Sequence, residues 1–408
     1  MIRKIFIFLL LGISLITQAQ TDSTNLIKLK SIQVIGIRSN EREPITQSKS
    51  SCDSIGFLNR QKDPFFILDK ISPSIYAQSD NGQGNGYSYM RMRGLDQTRI
   101  NFNLNGIPLN EMEDQGIYFS NIPGIYNYLS NISVQRGIGT SKYGNTSVAG
   151  SVNMETRDMS QKTFEINALA LTSTIGNQYL NGFYSSGINK NGLALQVGTS
   201  YVNNVGFKEH SGNNGGSIFY SLGYYKTNNI FKIYGFSGLT HNQLAFYGVP
   251  MDSINTNYRK NMNLVTDKDT FNQNLVAFNW INYQKSNLKF NTSIYFDNVN
   301  GTYGVGDPHK DIIISSPNKK DSIIPVETRD IFSVKSNQYG LMSNLVFENK
   351  DNILNIGINS NIYQRQHFGS DNHGFYDYTR NMSKYKNTGY KEDITGYIKC
   401  IKIYDKFS

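Results

Sequence analysis

The chain has 408 residues, 40 Lys+Arg against 31 Asp+Glu for a formal net charge of +9, and 2 Cys. The basic residues are scattered and leave no footprint for nucleic acid, and Cys52 and Cys400 allow at most one bridge, which excludes a disulfide scaffold. No apolar run beyond the N-terminus is long enough to cross a bilayer as a helix, while 27 Tyr and 23 Phe suit surfaces that are apolar on one side and wet at the edge.

Met1 to Lys4 is a short basic segment, Ile5 to Ile16 is an apolar core, and Thr17 and Ala19 are small residues before a cleavage point. Residues 1–19 therefore read as a secretory signal peptide, which exports the mature protein. Residues 20–50 are polar and poor in aromatics, a flexible lead whose one apolar patch runs from Ile32 to Ile37. Residues 51–157 read as a compact mixed α/β domain. Pro64 to Ile71 is expected to be a short helix stopped before Pro73, and the glycines of 81–86 mark a turn cluster. Ile100, Phe102 and Leu104 alternate with asparagines up to Asn105-Gly106, a pair that supplies the positive φ of a type I′ hairpin turn. Short strands are expected around Tyr87 to Arg93, Ile132 to Arg136 and Val148 to Met154.

Residues 158–408 change character. Alternating segments are expected at 163–174, 178–190, 192–204, 215–228, 230–243, 271–284, 287–299, 336–349, 353–366 and 392–404. In the segment after Asn287, Leu288, Phe290, Thr292, Ile294 and Phe296 alternate with Lys289, Asn291, Ser293, Tyr295 and Asp297. A soluble sandwich would bury the apolar face on a second sheet; a transmembrane barrel turns it to lipid. The links near Asn191, Asn229, Ser286 and 350–352 are tight, whereas 244–270, 300–335 and 367–391 are long and polar. Membrane barrels sort loop lengths by side in this way, and sandwiches have no cause to. The fold class is thus mainly β: a small α/β domain followed by about ten antiparallel transmembrane strands of an incomplete barrel. Tyr224-Tyr225, Tyr283, Tyr295-Phe296, Tyr363 and Tyr397 fit interfacial girdles, or simply the frequency of Tyr in strands.

Arg91 to Ile100 and Leu104 to Glu111, with Arg93, Gly94, Asn105 and Gly106 at their centres, resemble the plug domain of TonB-dependent outer-membrane receptors, most closely those of Bacteroidetes type. Arg136, Gly137, Tyr143, Gly144 and Gly150 lie in segments that resemble the closing motif of that plug, and the stretch around Ser31, Ile32, Gln33, Val34, Ile35 and Gly36 resembles the TonB box. The segment Ala245 to Ser253 is also similar to these receptors. The resemblance implies a cell outer membrane location in a Gram-negative bacterium, a TonB partner in the periplasm, outer-membrane lipid around the strands, and import of a scarce small-molecule or glycan ligand (a metal chelate, a cofactor or a glycan). The box would add to TonB as a β-strand. It also implies that Arg93 and Arg136 pair with carboxylates on the second half of a barrel of ~22 strands, so that this chain reads as truncated.

Outside the resemblance, an exported β-rich surface adhesion or binding protein, or an inactive receptor fragment, fits the same pattern. No catalytic constellation or cofactor motif is present, and an enzyme is not expected. Gly82-x-Gly84-x-Gly86 precedes a strand, where a nucleotide loop would need a helix. His367 and His373, and Asp307, Asp311, Glu327 and Asp330, read as solvated loop residues in preference to metal ligands.

Overall fold

A computed structural model describes residues 47–52, 62–137, 148–171, 176–285, 287–316, 319–373 and 382–402. The expected signal peptide, the expected TonB-box segment Ser31 to Gly36, and Tyr143 and Gly144 lie outside the described residues.

The N-terminal body is built on two small sheets. Strands β1 (Gln47–Ser51), β5 (Ile100–Leu104), β6 (Ile107–Pro108), β7 (Leu129–Arg136) and β8 (Gly150–Thr156) form one, in the order β1-β7-β8-β5-β6; β2 (Ile75–Ser79), β3 (Ser88–Met92) and β4 (Leu95–Asp96) form the other. Helix α1 (Pro64–Ile71) starts where Pro64 needs no N–H partner, and the Asp63 carboxylate caps it by accepting from Phe65 N at 3.0 Å. Burial pushes the Asp63 carboxyl up to about 7, against the pull of that hydrogen bond. Phe65, Phe102 and Phe119 pack at the centre, Phe119 edge-on to the other two, with ring centroids 5.1–5.9 Å apart. Ile100, Leu104, Val134, Val152 and Met154 complete this core from the strands.

The Asn105-Gly106 turn forms as its chemistry demands, with φ of 50° and 89° between the paired Leu104 and Ile107. Arg93-Gly94 repeats the device, with φ of 52° and 83° between paired Met92 and Leu95. The arginine in that motif therefore sits on a turn, and its side chain approaches Gly137.

The second body is one open antiparallel sheet of ten strands, β9 to β18, each paired with its sequence neighbour. They are β9 (Lys162–Leu171), β10 (Asn177–Ser186), β11 (Leu193–Asn204), β12 (Asn213–Tyr225), β13 (Asn229–Gln243), β14 (Lys268–Lys285), β15 (Leu288–Ser316), β16 (Lys319–Glu348), β17 (Asn352–His373) and β18 (Met382–Lys402). The outward side of β11 is Leu193, Leu195, Val197 and Tyr201, each more than 40% exposed; its inward side is Ala194, Gln196, Ser200 and Val202, each buried. Strand β15 repeats this, with Ile294 exposed and Ser293, Tyr295 and Asp297 buried. Polar residues thus line the inside and apolar ones the outside, the reverse of a soluble fold.

Two expectations are corrected. The stretches 300–335 and 367–391 are not long links: β15 and β16 stay paired from Leu288↔Phe347 out to Ser316↔Lys319, and β17 and β18 run on to Asp371↔Met382. Asn, Gly, Ser and charged residues can hold a ladder when both faces meet water, and such a segment carries no apolar alternation to reveal it. The girdle assignment of Tyr295, Tyr363 and Tyr397 also fails, because period two places all three side chains inward, Tyr295 and Tyr363 nearly fully buried. The outward aromatics at the tight-turn end are instead Tyr224, Phe231, Trp280 and Phe290, in successive ring contacts of 5.3–6.5 Å across β12 to β15.

Candidate functional site

The N-terminal body packs against the inner face of the sheet at two places. At one end Tyr128 leaves the loop before β7 and lies stacked on Phe219 of β12, with ring centroids 5.1 Å apart and planes 12° apart. Its hydroxyl meets Ser200 Oγ at 2.7 Å, and burial pushes its pKa up to about 12. Gly198 makes this fit possible, since a Cβ there would stand 2.3 Å from the Tyr128 ring. Close by, Ser217 Oγ donates to Pro123 O at 2.6 Å, and Asn127 bonds Tyr179.

At the other end the segment 109–118 projects from the strand pair β5–β6. Asn110 anchors it: its side-chain oxygen accepts from Phe102 N at 2.7 Å, and its amide donates to Ile100 O and Gln115 O. Beyond that anchor the segment is tied to β17 and β18. Arg365 pairs with Glu111, and its Nε lies 3.1 Å from Glu113. Tyr363 donates to Glu111 Oε1 at 2.8 Å, His367 Nε2 stands 3.0 Å from Glu113, and Lys391 Nζ donates to Met112 O at 2.6 Å. Burial raises the Glu111 carboxyl above the usual range, with the Arg365 charge pulling the other way.

Between this segment and the strands lies a cavity of about 390 Å³. From the N-terminal body come Asp80, Tyr89, Glu111, Asp114 and Tyr118; from the strands come Phe271, Asp297, Tyr303, Tyr363 and Arg365. Tyr89 donates to Asp80 Oδ2 at 3.1 Å and Tyr118 to Asp114 Oδ2 at 2.7 Å. Burial raises the Asp80 carboxyl and both phenols, the phenols further because each faces a carboxylate. The volume falls in the range of small-ligand sites.

The motif residues occupy different ground. Arg93, Gly94, Asn105, Gly106, Arg136, Gly137 and Gly150 are all described, and none lines the cavity. Asn105 ties β5 to β8 by accepting from Thr156 N at 3.0 Å, and Gly150 lets β8 pass Gln135 O. Arg93 is exposed, and Arg136 Nε has no hydrogen-bond partner among the described residues. The contact set Tyr363, Arg365 and His367 went unread in the sequence. Its signal is present: three polar residues spaced by two on a strand share one face. His367 thus lies within β17 against Glu113 and not in a loop, and the side chain of His373 is outside the description. Among the described residues no three His, Cys, Asp or Glu side chains come together as a metal would need. Cys52 is buried and Cys400 exposed, and neither forms a disulfide among the described residues.

Residues 65–151 match the family model described as TonB-dependent Receptor Plug Domain. A comparison with curated proteins finds no match. Among solved structures the chain is similar to the unliganded ferric citrate transporter FecA (14% identity, 88% of this chain and 54% of that one, TM-score 0.64). It is also similar to the copper transporter OprC (13% identity, 88% and 51%, TM-score 0.60). A third is the ferripyoverdine receptor of the outer membrane of Pseudomonas aeruginosa (12% identity, 87% and 49%, TM-score 0.62). The chain spans about half the length of these receptors. These neighbours are receptors and transporters and not enzymes. Residues 65–151 are a TonB-dependent receptor plug domain, and the chain has the plug-and-strand fold of Gram-negative outer-membrane receptors.

Proposed function

We propose that this chain acts as a TonB-dependent outer-membrane receptor that binds a scarce nutrient at the cavity and imports it with energy delivered by TonB. The observation that carries the reading is the plug held by Arg365, Tyr363 and Tyr128 against the polar inner face of strands whose outer face is apolar. A stopper of that kind closes a pore until work is done on it, and an outer membrane has no nucleotide of its own to do it. In this reading 1–19 is a signal peptide, 20–50 carries the TonB box, 51–157 is the plug and 158–408 supplies barrel strands. Ser31 to Gly36 then pair edge to edge with TonB, so affinity comes from main-chain hydrogen bonds.

Deleting Ser31 to Arg38 tests this. The protein extracted from outer membranes should bind the purified periplasmic domain of TonB, and the deletion should weaken that binding at least tenfold. Equal binding with and without the segment would reject the box assignment.

A further inference from the structure

The cavity walls are rich in hydrogen-bond acceptors, and most of their side-chain donors are already engaged. Four carboxylates, Asp80, Glu111, Asp114 and Asp297, line it against the single guanidinium of Arg365, among the described residues. Several lining donors already bond within the wall: Tyr89 to Asp80, Tyr118 to Asp114, Tyr363 to Glu111 and Gln273 to Asp297. Gln338 Nε2 donates to the Tyr295 hydroxyl at 3.1 Å, and the Arg365 charge is paired with Glu111 and Glu113, although its Nε makes no hydrogen bond among the described residues. One acceptor is left over. Asp297 is 8% exposed, and its Oδ1 has no hydrogen-bond partner among the described residues. A buried carboxylate oxygen without a donor is costly, so an occupant that brings one gains by satisfying it. Much of the remaining lining is apolar, including the rings of Tyr89, Tyr118, Phe246, Phe271 and Tyr303.

From this we infer that the cavity takes a non-anionic ligand that carries many hydrogen-bond donors on an apolar frame, the chemistry of a neutral or aminated oligosaccharide, and that it rejects anionic metal chelates. The inference rests on the receptor reading of the cavity and narrows it. A polycarboxylate chelate would set acceptors against acceptors and negative charge against carboxylates, with too few free donors to offset either. A sugar sets hydroxyl donors against the carboxylates and its C–H faces against the tyrosine rings. Hydroxyl and ammonium donors share this chemistry, and the experiment separates them.

The outer-membrane protein in detergent is applied to an array of neutral and amino-sugar oligosaccharides, with ferric citrate as competitor. Saturable retention of members of the array, untouched by millimolar ferric citrate, is the expected result. Asp297→Asn and Asp80→Asn should each lower that affinity about tenfold or more in protein that still binds the TonB domain. Preference for amino sugars identifies the donor as ammonium, and equal retention identifies it as hydroxyl. Saturable binding or displacement by ferric citrate overturns the inference, as does an array without retention. Either result obtained with intact TonB binding removes the ligand class alone, whereas loss of TonB binding in the unaltered protein removes the receptor reading.

Discussion

Arg365→Ala is expected to release the segment 109–118 from β17. Arg365 and Glu111 are each 14% exposed at the side chain, so the pair is mostly out of water. Removing one partner of such a pair leaves the other charge buried without compensation, at a cost of about 3–5 kcal/mol. Tyr363 still donates to Glu111, but a phenol does not replace the charge. Hydrogen exchange of 109–118, followed by mass spectrometry, should accelerate by about 100-fold or more, since each 1.4 kcal/mol is roughly tenfold. The paired change Glu111→Gln with Arg365→Met should recover most of the protection, because the only charge left without Arg365 is the exposed Glu113. Unchanged exchange in Arg365→Ala would show that the ion pair does not hold the plug. The same contact gives the cavity a route to the plug: a ligand that engages Glu111 or Arg365 competes with the tie between the plug segment and the wall.

Tyr128→Ala is expected to loosen the opposite end. The ring is 1% exposed, stacked on Phe219 and close to Phe183, and its hydroxyl is matched by Ser200. Truncating a buried aromatic of this size costs about 3–5 kcal/mol. Tyr128→Phe removes only the hydroxyl contact and should cost about 1 kcal/mol. Cys52, 3% exposed in the plug core, is the reporter. With Cys400 changed to Ser, its labelling by a thiol reagent should become about 100-fold faster in Tyr128→Ala and change several-fold in Tyr128→Phe. Identical rates in the three proteins would mean that this stack does not anchor the plug.

Much of this architecture was legible because period-two alternation survives wherever one face is apolar. Leu193, Leu195 and Val197 announce β11, and Ile294 and its neighbours announce β15. Turn chemistry was equally plain at Asn105-Gly106 and Pro64, where φ or a missing N–H leaves little choice. The outer halves of β15 to β18 were hidden, since strand pairing among polar residues depends on the neighbouring strand and not on local pattern. The site was the least legible part. Glu111 and Arg365 are 254 positions apart in the chain, and only the topology brings them together. For Tyr295 the parity of the strand decides between a girdle and the plain frequency of Tyr in strands, since it alternates with the outward Ile294 and Phe296 and shares the parity of Asp297.

Lipid is expected to cover the outward face of β9 to β18. Trp280, the one tryptophan of the sequence, stands on that face in ring contact with Phe231 and Phe290. Its fluorescence in bilayers of phospholipid brominated on the acyl chains tests the claim without any substitution. Lipid contact predicts strong quenching relative to the unbrominated lipid. Equal emission in the two bilayers, from protein shown to be folded and bound to them, would contradict it.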